Sequence, residues 1–427
     1  MKNSNVRWIG EIPNDWMITK LGSHFKCRNV KVDDISYPPL SVTKMGILPQ
    51  MDTVAKSDAN DNRKQVLSGD FVINSRSDRK QSCGVSKLTG SVSLINTILY
   101  QPNQDYDNGY VSFLLKNYGF AEEFYRWGHG IVADLWTTRW QEMKDIDLPF
   151  PPTNVQKEIA YELQNKIKNI DSLVLNETKQ IEKLKEYRQA IITKAVTKGL
   201  DSNAPMKDSG VEWIEKIPET WKVYPLKSMF SFGKGLPITK ENLISTGEKV
   251  ISYGQLHAKY NISISLVPEM FRYVSNSYLQ SNPECIVHKG DFIMADTSED
   301  REGTCDFVHI NSSDLIFAGY HSIILRANNP LYSEYFAYLF LSDYWRDQFR
   351  RKVGGVKLFS LTKKMLSTGS VILPPEEDLY KIVTYLNSIM LPISQVIDKK
   401  TSQIRCLEDY KESLIYEYVT GKKRVSL

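Results

Sequence analysis

Residues 1–25, MKNSNVRWIGEIPNDWMITKLGSHF, are written again from residue 206 as MKDSGVEWIEKIPETWKVYPLKSMF. Twelve of the 25 positions are identical, among them Trp8 with Trp213, Ile12-Pro13 with Ile217-Pro218, and Trp16 with Trp221. Tryptophan is rare, and two of them recurring in phase across 205 positions mark a tandem duplication. Such a duplication must show itself again further along the chain.

It does so first in two long apolar-periodic segments. Pro151-Pro152 is followed by a run with no proline or glycine until Gly199, and Pro374-Pro375 opens a similar run. At an offset of 223, Ile159 falls on Ile382, Leu163 on Leu386, Leu184 on Leu407 and Tyr187 on Tyr410. Ile167, Ile170, Val174, Ile181, Leu184, Ile191 and Ala195 form one stripe at alternating spacings of three and four. Met390, Ile393, Ile397, Ile404, Leu407, Leu414 and Tyr418 form the other. A stripe this narrow, kept over about four heptads, is a coiled-coil seam, so each run is a long helix and the two pair. Proline at the start of each run suits the first helical turn. Pro392, inside the second run, is expected to kink or interrupt it. The seam carries polar interruptions at Glu177 and Arg188, matched by Lys400 and Lys411. Opposite charge at Glu177 and Lys400 or Lys411 favours pairing one helix with the other, the alternative being that these side chains reach to the edge and specify nothing.

The regions between, roughly 26–147 and 231–370, repeat more faintly. GDFVINSRSDRKQSC (69–83) matches GDFIMADTSEDREGTC (290–305), with Arg79 over Arg301 and Cys83 over Cys305. FYRWGHGIVADLWTTRW (124–140) echoes QFRRKVGGVKLFSLTKK (348–364), with Arg126 over Arg350 and Gly130 over Gly354. The offset climbs from 205 to 221 before the GDF motif, which puts a longer loop into residues 231–289. Short β-branched runs mixed with turns and helix make each region an α+β domain. The organisation is domain (1–147), helix (148–200), domain (201–370), helix (371–427).

At 427 residues, two cores are the natural reading. No apolar run reaches the ~20 residues that span a bilayer, and MKNSNVRW has no hydrophobic signal core, so a cytoplasmic location is expected. Five scattered cysteines with no CxxC pair are read as reduced thiols, neither a disulfide framework nor a zinc site. Net charge is +4, and residues 1–200 carry the whole surplus, which permits a nucleic-acid partner without demanding one. There is no phosphate-binding loop, HExxH or glycine-rich adenosylmethionine turn, and the six histidines are dispersed. Acidic triples such as Asp291, Glu299 and Glu302 are expected by composition alone. The chain reads as a binding protein without its own catalytic or metal site.

Two divergent domains alternating with two similar long helices resemble the specificity subunit of type I restriction–modification systems, and the resemblance covers the whole chain. It is carried by WIGEIPNDW (8–16) and WIEKIPETW (213–221), by the two GDF motifs, and by IDLPFPP (146–152) and VILPP (371–375) leading into the helices. Where the family often has Glu-Gln after the prolines, this chain has Val155-Gln156 and Asp378-Leu379. The resemblance implies that each domain reads one half of a bipartite asymmetric site on double-stranded DNA. The helices would pack antiparallel as the spacer, about a pseudo-two-fold axis, and dock two methylation subunits. Those subunits would bring S-adenosylmethionine and the catalytic residues, and motor-nuclease restriction subunits would complete the complex. This chain would bind no cofactor.

In that context the loop after the first GDF strand places Arg76, Arg79 and Lys80 within five residues, suiting guanine edges and phosphate. Its counterpart keeps Arg301 but gains Asp296, Glu299, Asp300 and Glu302, so the two domains are expected to read different half-sites. The glycine loops GHGIVADLW and KVGGVKLFS add Arg126, His129, Arg350, Lys352 and Lys357, their glycines allowing close approach to a duplex. Arg63, Lys64 and Arg139 are further candidates for phosphate. Trp127, Trp136 and Trp140 are read as core. Two alternatives stand beside this reading: a coiled-coil scaffold that binds only proteins, and a stand-alone nuclease or methylase active without partners.

Overall fold

The computed structural model describes residues 1–51, 62–130, 136–355 and 357–425. The chain folds into two compact units, Met1–Thr178 with Lys400–Leu427, and Lys179–Lys399.

The Pro-Pro pairs start helices as the sequence requires. The first long helix runs Thr153–Lys198, 46 residues or about 69 Å, and the second Glu376–Val419, 44 residues. Each ends at a glycine in the left-handed region, Gly199 at φ +73° and Gly421 at φ +74°, the backbone conformation that closes a helix C-terminus without Cβ strain. Pro392 does not interrupt the second helix, which is continuous through it. Met390 and Ile393 on either side of it are buried, and their packing holds the turn that the missing N–H weakens.

All twelve pairing candidates on the two stripes are buried or half-buried. In the first unit Ile167, Ile170 and Val174 share a core with Leu407, Leu414 and Tyr418. In the second, Ile191 packs with Met390, Ile393 and Ile397. Ile181 is buried, and Leu184 and Ile404 are half-buried. Since residues N-terminal on one helix meet residues C-terminal on the other, the coiled coil is antiparallel. Its polar interruptions fix the register in the first unit: Lys400 Nζ lies 2.8 Å from Glu177 Oε2, and Lys411 Nζ 2.6 Å from Asp171 Oδ1.

Each unit carries the same α+β domain. The first has an antiparallel sheet of Lys26–Cys27, Asn96–Tyr100, Phe71–Asn74 and Cys83–Val85, in that spatial order. The second repeats it with Phe230–Lys234, Ser322–Ala327, Phe292–Ala295 and Phe307–His309. The longer loop of the second domain adds strands: Glu248–Ile251 pairs parallel with Ile316–Ala318. Met17–Lys20 pairs with Asp147–Phe150, and Lys222–Pro225 with Ser370–Leu373, so each domain is closed at its entrance to the helix.

The repeated motifs are packing devices. Trp8 Nε1 donates to the Asp147 carbonyl at 3.2 Å, and Trp213 Nε1 to Ser370 Oγ at 2.8 Å. Trp16 and Trp221 are buried. A Cβ on Gly421 would sit 3.0 Å from Trp16 Cζ3, and one on Gly199 would sit 3.3 Å from Trp221 Cζ2, so each helix-ending glycine lies against a motif tryptophan. In the GDF turns, Gly69 and Gly290 take φ +94° and +96°. The aspartate then accepts from the backbone three residues back, Leu67 N to Asp70 and His288 N to Asp291, both at 2.9 Å, while Phe71 and Phe292 enter the cores. Gln156 answers why only part of the Glu-Gln pair is kept: wholly buried, it accepts from Asp107 N at 2.8 Å and donates to the Pro151 carbonyl at 3.0 Å. Among the described residues, no helix is long and apolar enough to cross a membrane.

Candidate nucleic-acid interface

The loop that follows each GDF strand and the loop that carries the glycines lie about 60 residues apart in sequence. The fold joins them in both domains at the same GDF-loop position, with the glycine-loop partner one residue earlier in the second copy than the repeat alignment places it. In the first, Thr138 N donates to the Ser75 carbonyl at 3.0 Å and Arg76 forms a β-bridge with Thr137. In the second, Leu361 N donates to the Asp296 carbonyl at 2.8 Å and Thr297–Ser298 pairs with Phe359–Ser360. The glycine loop therefore leaves one helix end (Tyr118–Arg126, or Asp343–Arg350), turns, and returns as an edge laid along the GDF loop. The result is one composite surface per domain.

On the first surface Arg79 is two-thirds exposed and 3.7 Å from Asp78. Arg76 meets the same carboxylate at 3.3 Å. Lys80 pairs with Glu122 at 2.8 Å and lies over the Tyr125 ring. Arg126 forks onto Glu123 from the turn before it, at 2.9 and 2.5 Å, with its outer face open. His129 is exposed, its backbone exchanging hydrogen bonds with Thr137 at 2.9 and 3.0 Å, which clamps the base of the loop. Arg139 is exposed at the start of the short helix Trp140–Met143. Residues 131–135 of this loop lie outside the described residues.

On the second surface Arg301 is exposed and stacks 5.8 Å from the Phe359 ring centroid. Lys352 and Lys357 are exposed, with no carboxylate in ion-pair range among the described residues. Val356, between them, lies outside the described residues.

Three candidates are placed differently from the sequence expectation. Arg63 is buried, donating to Ser91 Oγ at 2.8 Å and to the Ser91 carbonyl at 3.1 Å, so its guanidinium serves the protein interior rather than a phosphate. Lys64 is half-buried and bound to the Asn96 carbonyl at 2.7 Å; burial pulls its pKa below the ordinary lysine value. Arg350 is buried under Asp343 (2.9 Å), Asp347 (3.5 Å) and the Glu302 carbonyl (2.8 Å). Burial opposes its charge, but the three acids outweigh that and hold its pKa above the usual arginine value. Arg350 thus ties the glycine loop's helix to the acidic GDF loop; it is a positioning residue.

The glycines divide in the same way. A Cβ on Gly128 would meet Trp136 Nε1 at 2.3 Å, so this glycine makes room for a tryptophan whose N–H reaches the Tyr125 carbonyl at 2.8 Å. Gly354 faces open space. Trp127, Trp136 and Trp140 are all half-buried.

One contributor has no signature in the sequence. His257, from the long insertion, reaches Asp306 Oδ2 with Nδ1 at 2.9 Å and the Thr297 carbonyl with Nε2 at 2.8 Å. Arg346 Nη1 holds the other Asp306 oxygen at 2.8 Å. The hydrogen bond to Asp306 raises the His257 pKa above its ordinary value against the effect of burial. The insertion is therefore anchored to both ends of the acidic loop, at Thr297 and Asp306.

Elsewhere, Asp291 of the acidic triples is bound by Arg326 at 3.0 Å, and no group of three or more metal-ligating side chains converges among the described residues. All five cysteines are free thiols; burial pushes Cys83 and its repeat counterpart Cys305 up to about 12.

The family model "Type I restriction modification DNA specificity domain" matches residues 218–405. Two Methanocaldococcus jannaschii chains described as type I restriction enzyme specificity subunits align over nearly the full length. MjaX is 22% identical over 449 positions, covering 98% of this chain and 96% of its own. MjaVIII is 23% identical over 434 positions, covering 97% and 94%. A chain solved in work on complex assembly and conformational transition of the type I R-M system superposes with a TM-score of 0.68 at 13% identity, covering 97% of this chain and 100% of that one. The resemblance drawn from the repeated motifs is thus met by sequence relatives and by fold.

Proposed function

We propose that this chain is a specificity subunit of a type I restriction–modification system and reads a bipartite asymmetric site on double-stranded DNA. Each domain takes one half-site through its composite surface. The observation that carries this reading is the equivalent joining of GDF loop and glycine loop in both domains, with different side chains on the same frame. A frame kept while its surface varies is what two readers of different sequences need.

On the first surface Arg79, Arg126 and Arg139 offer guanidinium faces to guanine edges or phosphate. On the second, acids outnumber cations around Arg301, so it accepts from base amino groups while Lys352 and Lys357 meet the backbone. The long helices set the distance between half-sites, as a rigid strut does between dimeric readers, and dock two methylation subunits. Those partners supply S-adenosylmethionine and catalysis, and motor-nuclease subunits complete the restriction complex. The chain itself is non-catalytic and works in the cytoplasm, where those partners and DNA are.

Replacing residues 26–147 with the corresponding domain of a relative tests the reading. Methylome sequencing is expected to show one half-site changed and the other kept. A change in both, or methyl transfer by the purified chain without a methylation subunit, overturns it.

A further inference from the structure

The second unit holds a groove of about 1200 Å³ between the C-terminal part of the first long helix, the segment after Gly199, the Trp213 hairpin and the start of helix Asp343–Arg350. Five cations line it: Lys185, Arg188, Lys194, Lys198 and Lys216. Arg188 is the unusual one. It occupies a seam position, is half-buried, and has no carboxylate partner among the described residues. Burial alone acts on its guanidinium, drawing the pKa below the ordinary value with no counter-charge to offset it.

The internal repeat explains how the partner was lost. Arg188 corresponds to Lys411 at the offset of 223, and Lys411 pairs with Asp171 at 2.6 Å. The residue corresponding to Asp171 is Ser394, which carries no charge. One repeat satisfies its seam cation internally; the other leaves it for a group from outside. A desolvated guanidinium without a counter-ion is unfavourable, so a carboxylate entering the groove gains a pair that water screens little.

We infer that this groove receives an acidic segment of the methylation subunit, whose carboxylate closes on Arg188. The inference rests on the proposal that such a subunit binds this chain. Its lining favours a polypeptide over DNA. Glu186, Asp201, Glu215 and Asp343 stand in the same groove and would repel a run of phosphates, whereas a peptide can answer both signs. Met206, Ile214 and Tyr344 give it an apolar floor for side chains. The corresponding groove of the first unit, about 900 Å³, is lined by Glu122, Glu123, Asp409 and Glu412, with Arg126 already paired to Glu123. Its remaining cation, Arg7, is solvent-exposed, so that copy has no half-buried cation awaiting a counter-charge. The two methylation subunits therefore bind with unequal strength, and only one step depends on Arg188.

The test uses the full chain and its purified methylation subunit in isothermal titration, with Arg188→Met, Arg188→Gln and, as control, Lys411→Gln. Wild type is expected to bind in two steps. Both Arg188 variants should weaken one of them about 30-fold or more, and Lys411→Gln should leave that step unchanged. Arg188→Met should also raise the thermal midpoint of the free chain, because an unpaired cation has been replaced by an apolar side chain of similar length. A fall in that midpoint would show that the guanidinium is already satisfied within the chain, and would overturn the inference. Equal binding by wild type and both variants would overturn it while leaving the proposed function standing. Loss of duplex affinity in place of subunit affinity would make the occupant a phosphate and overturn it as well. No binding of the subunit to wild type would remove the proposed function and the groove's occupant together.

Discussion

Single arginines in this chain do opposite work with the same chemistry, and burial decides which. Arg63 is enclosed and bonded twice to Ser91, so removing it strands buried acceptors. Arg63→Ala is expected to cost about 1–3 kcal/mol of stability, read as a lowered denaturant midpoint with an unchanged slope. Arg79 is open to solvent, so Arg79→Ala should leave that midpoint in place. It should instead weaken duplex binding and reduce the slope of log affinity against log salt by about one. His257 adds a pH dependence. Its pKa is raised in the folded state, chiefly by the Asp306 carboxylate, above the unfolded value of about 6.5. Its stabilising contribution is therefore complete below about pH 6.5 and declines as pH rises through the raised folded value. Comparing thermal midpoints of wild type and His257→Gln across that range should show the wild-type advantage shrinking with rising pH. An advantage that grows with pH would mean that the imidazole is bound neutral.

Loops show how elements, rather than residues, make the surface. The glycine loop and the GDF loop acquire a common frame through a backbone hydrogen bond and a short β-pairing, neither of which depends on side-chain identity. That leaves their outward residues free to vary between the domains. Gly128 belongs to the frame and Gly354 does not, since only Gly128 has a tryptophan where a Cβ would go. Gly128→Ala is expected to destabilise the first domain by about 1–3 kcal/mol through overpacking. Gly354→Ala should change stability by less than about 0.5 kcal/mol, and any effect should fall on DNA binding alone. Differential unfolding of the two variants, followed by duplex titration, separates these outcomes.

Over the whole molecule, the helices tie each domain to both repeats. Residues 153–178 and 400–419 lie in the first unit, 179–198 and 376–399 in the second. Tyr110 OH donates to the Val419 carbonyl at 2.8 Å, while its counterpart Tyr335 donates to the Val196 carbonyl at 3.2 Å. Each domain thus rests on the beginning of its own helix and the end of the other. If the paired helices are the ruler, seven residues added after Thr178 and seven after Lys399, beside the Glu177–Lys400 pair, lengthen both by about 10 Å. At about 3.4 Å per base pair, the preferred gap between half-sites should grow by about three base pairs with both half-site sequences retained. An unchanged gap in a folded, active variant would place the ruler in the partner subunits.

Whatever depends on period and local geometry can be read from the order of the amino acids. Two tryptophans in phase, a 3-4 stripe and prolines at helix starts each act within a few residues, so the repeat and the coiled coil were legible in the amino-acid order. The charges at Glu177 and Lys400 were legible too, because facing seams place them in reach of each other. Which cations are available depends on contacts between segments far apart in the chain. Arg63, Arg350 and Arg79 read alike in sequence, and what separates them is who arrives from elsewhere: Ser91, a cage of three acids, or water. The same holds for His257, whose two partners lie 40 and 49 residues away, and for Arg188, which the seam buries and Ser394 leaves without a counter-charge. Availability is a property of a three-dimensional neighbourhood, set by desolvation and by contacts between distant segments, and no periodicity along the chain encodes it.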